Sequence, residues 1–228
     1  MTGELSRRVL WWHWVAANCA AEFLGLGTVA AVGYLVASRI GEPHGVSQSL
    51  GFAILFVALG AFEGLVVGLA QAWVLQRPLP ALRGWVRASV LGAAVAWAVG
   101  MTPSTIMSLR ESGASGPPPE VSEPARLLLA AGLGLVAGPL LAFFQWRRLR
   151  LCLTQRAAWW LPANAAAWAL GMPAVFVGAH MSAYTSDPVL ISLGVGASLL
   201  AAGAIVGAVH GGALVWLLST GDPRGAAA

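Results

Sequence analysis

This sequence predicts an all-α membrane fold of six transmembrane helices, paired as three repeated helical hairpins with both termini in the cytoplasm. Three observations predict it. The 228 residues are 58% hydrophobic and only 10% charged, against about 25% charged in a soluble domain, and the mean hydropathy is +0.75. The apolar runs reach the roughly 20 residues that cross a bilayer, and they are continuous rather than alternating, which points to helices and not to a barrel. One apolar segment recurs three times: Gly60, Gly64 and Gly68 ahead of Gln71, Gly134 and Gly138 ahead of Gln145, and Gly203 and Gly207 ahead of His210.

The spans fall at about 9–36, 50–75, 86–108, 126–146, 159–180 and 189–218. The first follows Arg7-Arg8 and looks at first like a secretion signal, but its apolar run is longer than the 7–15 residues of a signal core, so it reads as a retained helix. One transmembrane domain, 1–228, then comprises hairpins at about 9–75, 86–146 and 159–218, with a proline-rich loop at 110–124. That loop reads as extended, because Pro117-Pro118-Pro119 cannot continue a helix.

Arginine sets the orientation. All thirteen basic residues are Arg, and ten of them (7, 8, 77, 83, 87, 147, 148, 150, 156 and 224) fall on the side that holds the N-terminus. Only Arg39, Arg110 and Arg126 fall opposite. The positive-inside rule places the ten in the cytoplasm. Nine of the eleven tryptophans, including Trp14, Trp85 and Trp160, lie near the same helix ends and read as headgroup anchors. Without Lys there is no Schiff base, and hence no retinal-type chemistry. The basic balance (pI 10.0) belongs to topology and lipid headgroups, so no nucleic-acid partner is expected.

The odd spans carry a second repeat. Ala21-Glu22-Phe23-Leu24-Gly25 aligns with Ala96-Trp97-Ala98-Val99-Gly100 and with Ala167-Trp168-Ala169-Leu170-Gly171. The glycines are expected to pack helices closely. Asn18, Gln71, Gln145, Asn164 and His210 are expected to form one polar layer in the cytoplasmic half if the hairpins close around an axis. Two residues break the repeat. Glu22 replaces Trp97 and Trp168, and Glu63 replaces Ala137 and Ala202. Glu22 lies thirteen residues in from Val9 and Glu63 twelve in from Leu75, which at 1.5 Å per residue puts both near the bilayer centre. Charged residue types at that depth are functional by default, and two carboxyls that meet cannot both ionise easily. Glu22 and Glu63 are therefore the candidate ligand or proton site, the alternative being neutral acids that only bond helices together.

The Gly-x-x-x-Gly-x-x-Gln segment closed by Trp73, with Gln145-Trp146 in the second copy, resembles a group of bacterial polytopic membrane proteins of unknown function. His210 departs from the Gln of that pattern. The resemblance implies a bacterial inner-membrane location and no known activity. Six short-looped helices also resemble, in architecture alone, the substrate-binding membrane subunits of vitamin transporters. No Ser/His/Asp set, paired-His metal motif or phosphate loop is present, so a catalytic role, a metal and a cofactor are not expected. The expected function is a non-catalytic module that binds or carries a small-molecule or lipidic ligand within the lipid bilayer, as a carrier or transport subunit. The alternative is an intramembrane scaffold with a membrane-protein partner and no ligand.

Overall fold

The computed structural model describes residues 6–41, 43, 45–111, 121–153 and 155–220. Most of the proline-rich loop expected at 110–124 lies outside them. The described residues are mostly helical and form six α-helices: α1 (Arg7–Ile40), α2 (Gly45–Leu75), α3 (Trp85–Glu111), α4 (Glu123–Cys152), α5 (Trp160–Ala179) and α6 (Pro188–Thr220). All six are long and apolar enough to cross a membrane. They run a few residues beyond the expected spans at several ends. Ser6, for example, caps α1 by accepting the Val9 amide on its hydroxyl, which satisfies one of the donors a helix start leaves free.

Each helix packs against its neighbours in sequence, and α6 returns to α1, so the six close into a ring. Short connections make neighbours antiparallel. The starts of α1, α3 and α5 and the ends of α2, α4 and α6 therefore meet at one end, where Leu10, Leu75, Trp85, Leu149, Trp160 and Leu217 share one apolar core. The described arginines Arg7, Arg8, Arg77, Arg83, Arg87, Arg147, Arg148, Arg150 and Arg156 flank this end, called here the arginine-rich end. The opposite end is tied by a Tyr184 hydroxyl that donates to Glu123.

Polarity is distributed inside out. Leu128, Ile54 and Leu129 are about 70% exposed on the ring's outer face, whereas Asn18, Glu22, Gln71 and His210 are buried within it. A soluble protein seldom exposes so continuous an apolar surface. A bilayer removes that cost and leaves polar groups one place to go, the interior.

The glycines explain how close the helices come, and where. A Cβ on Gly64 would lie 2.5 Å from Ala93 Cβ and 2.8 Å from Ser89 O, on α3. One on Gly138 would lie 2.3 Å from Asn164 O, on α5, and one on Gly203 would lie 2.7 Å from Cys19 Cα, on α1. Each glycine face thus meets the helix that follows it around the ring, α2 on α3, α4 on α5 and α6 on α1. The two tightest backbone approaches, at Gly134 and Gly138, lie between consecutive hairpins, and Gly92 makes a similar one within the middle hairpin, where a Cβ would lie 2.4 Å from Leu141 O. Gly60 lies under the Trp97 ring, where a Cβ would be 2.0 Å from its Cδ1.

Three tryptophans depart from the anchor reading. Trp14, Trp85 and Trp160 are 0–2% exposed, whereas Trp12, Trp73, Trp159 and Trp216 are 41–64% exposed. The buried three pack edge-to-face inside the ring, with Trp160 centred 6.1 Å from Trp14 and 6.0 Å from Trp85. Their indole N–H groups find partners one layer deeper, which headgroup anchoring would not require.

Candidate functional site

The three buried indoles direct their donors into the ring. Trp85 donates to Gln71 Oε1 at 3.1 Å, Trp160 donates to Gln145 Oε1 at 3.0 Å, and Trp14 donates to His210 Nδ1 at 2.8 Å. An indole nitrogen can only donate, so these bonds fix the chemistry of their partners. Both glutamines must present oxygen to the indole and nitrogen elsewhere. His210 must hold Nδ1 bare, so its ring is neutral with the proton on Nε2.

The glutamine nitrogens then continue the network. Gln145 Nε2 donates to Gln71 Oε1 at 3.1 Å and to Ser89 Oγ at 2.9 Å. Gln71 Nε2 donates to Asn18 Oδ1 at 2.9 Å. Asn18, Ser89 and Asn164 each donate back one turn, to the carbonyls of Trp14, Trp85 and Trp160. All six helices contribute to this layer. Of the five polar residues singled out in the sequence, Asn18, Gln71 and Gln145 join directly. His210 enters through Trp14 and Asn164 through Trp160. The sequence reading missed Trp14, Trp85, Trp160 and Ser89. The signal was present in the spacing Trp14-x-x-x-Asn18, Trp85-x-x-x-Ser89 and Trp160-x-x-x-Asn164.

The two carboxyls lie next to this layer, on its far side from the arginine-rich end. Glu63 is 4% exposed and Glu22 1%. Their backbones are close, since a Cβ on Gly25, one turn beyond Glu22, would lie 3.3 Å from Glu63 Cα and 3.0 Å from its Cγ. Trp97, the residue aligned with Glu22 in the middle hairpin, donates its indole N–H to Glu63 Oε2 at 2.6 Å. That is a charge-assisted distance for an ionised acceptor, or a short bond to a neutral one. Glu22 Oε2 is fully buried and has no hydrogen-bond partner among the described residues. Leaving such an oxygen unpaired costs about 1–3 kcal/mol, and such exceptions call for a specific cause.

Glu22 and Glu63 line a single cavity of about 30 Å³, together with Asn18, Gln71, Ser89, Gln145, Asn164 and His210. That is room for a water molecule or two. It holds neither an acyl chain nor a drug-sized molecule. Carboxyl and amide oxygens around so small a space suit a proton with its hydrating water, or a bare monovalent cation. Among the described residues no three His, Cys, Asp or Glu side chains group closely enough to ligate a metal.

No family model matches this chain, nor does any curated protein or solved structure. The six apolar helices define it as a multi-pass integral membrane protein.

Proposed function

We propose that this membrane protein is a non-catalytic module whose core binds a proton or a small monovalent cation on Glu22 and Glu63, as a carrier or transport subunit of a bacterial inner membrane. The observation that carries the reading is Glu22 Oε2, a carboxyl oxygen with no hydrogen-bond partner among the described residues that is buried mid-span beside a second carboxyl and a water-sized cavity. A protein that needed only helix glue would do better with the Trp or Ala that the other hairpins carry at these positions. The size of the cavity favours an ion or proton over the lipidic ligand that the sequence alone left open.

Thermal unfolding in neutral detergent tests this, in sodium, potassium, lithium and choline chloride at equal ionic strength and across mildly acidic to mildly basic pH. The reading expects protons or one cation to raise the midpoint of the wild type and to leave Glu22→Gln unmoved. Identical responses of the two proteins to every salt and pH would refute it.

A further inference from the structure

The arginine-rich end carries a second cavity, of about 300 Å³, between the start of α3 and the end of α4. Arg87, Arg147, Arg148 and Arg150 line it, and among the described residues no acidic one does. Leu91, Phe144 and Leu151 supply its apolar wall, and Leu91 and Leu151 are themselves exposed on the outer face of the ring.

Two of the arginines are held in place. The Arg148 guanidinium lies against Gly84, where a Cβ would sit 3.3 Å from its Cζ. Gly84 has φ +75°, a conformation that L side chains rarely adopt, so the surface under Arg148 stays bare. Arg150 lies over the Trp146 ring, 5.1 Å from its centroid, and such stacking orients a guanidinium.

We propose that this cavity binds the phosphate of an anionic phospholipid, with the lipid's chains running down past Leu91 and Phe144. A cavity lined by four arginines and, among the described residues, by no carboxylate suits a phosphate, which arginine recognises through paired hydrogen bonds. Basic pockets between transmembrane helices are suited to such headgroups. The apolar wall, continuous with the bilayer-facing surface, distinguishes a lipid from a free anion, which would gain nothing from it. The volume is at the lower end of small-molecule sites, enough for a headgroup with its glycerol.

Native mass spectrometry of the protein in neutral detergent tests this against equal amounts of dioleoyl phosphatidylglycerol and dioleoyl phosphatidylcholine. The wild type should retain phosphatidylglycerol preferentially. Replacing three arginines, as Arg87→Gln with Arg147→Gln and Arg148→Gln, should weaken that retention on the order of a hundredfold, at about fivefold per charge. Arg148→Gln alone should lose about fivefold and serves if the triple variant does not fold. Arg8→Gln, on the same end but outside the cavity, should retain the lipid. Equal retention of the two lipids, or equal loss in Arg8→Gln and Arg148→Gln, would overturn the site. Binding of inorganic phosphate that displaces phosphatidylglycerol would overturn the lipid assignment and leave a free-phosphate site.

Discussion

Gly138→Ala should destabilise the ring far more than its single methyl suggests. The new Cβ would lie 2.3 Å from Asn164 O and 2.7 Å from Asn164 C, both backbone atoms that no rotamer change can move. Ordinary contact begins near 3.4 Å, so α4 and α5 must part by about 1 Å at this level, the scale of shift that core overpacking forces. A gap of that size forfeits a quarter to a half of each dispersion contact along the interface. It also stretches the 3.0 Å bond from Trp160 to Gln145 towards the limit of hydrogen bonding, since Trp160 lies one turn from Asn164 on α5 and Gln145 about two turns from Gly138 on α4. Overpacking at about 1–3 kcal/mol and a strained or unpaired glutamine oxygen at about 1–3 kcal/mol together give about 2–6 kcal/mol. The control is on the same helix. A Cβ on Gly132 meets nothing within 4 Å, so Gly132→Ala should be neutral or more stable by up to about 1 kcal/mol from helix propensity. Equilibrium unfolding in mixed neutral detergent and dodecyl sulfate measures both. Equal stability of the two variants would refute the close approach of α4 and α5.

Trp160→Phe, which leaves Gln145 Oε1 without its indole donor, should cost about 1–3 kcal/mol in the same assay, whereas Trp159→Phe on the exposed face should cost nothing measurable. His210→Gln should be tolerated, because a Gln oxygen can take the Trp14 N–H as Gln71 and Gln145 take theirs. His210→Leu should lose about 1–3 kcal/mol, and equal stability of the two His210 variants would show that the indole bond is idle. Reporter fusions at Ala228 and within 112–116 should place the first in the cytoplasm and the second in the periplasm, as the arginine bias requires; a periplasmic reporter active at Ala228 would contradict it.

The six helices were legible because the bilayer imposes length and continuity on apolar runs, so composition alone reveals them. The polar layer was legible in part. Asn18, Gln71, Gln145, Asn164 and His210 stand out as polar side chains inside apolar helices, and the ring brings them to one cavity. Its donors were not, because Trp serves both as anchor and as buried donor. Trp85 and Trp73 look alike in sequence, yet one is enclosed and the other faces outward. Which face of each helix turns inward depends on packing around the whole ring. The repeat signalled its own irregularity at Glu22 and Glu63, but it concealed that Trp97, the middle counterpart of Glu22, is the donor to Glu63. That contact joins different hairpins, and a repeat read hairpin by hairpin does not show it.

The central claim is that Glu22 and Glu63 act as one site that holds a single proton or cation between them. Infrared titration of the protonated-carboxyl stretch tests it most directly, on the wild type, Glu22→Gln and Glu63→Gln. The account predicts that each substitution both removes one carboxyl signal and changes the frequency and titration of the other. Two carboxyl signals that titrate independently, each removed by its own substitution with the other unmoved, would contradict it.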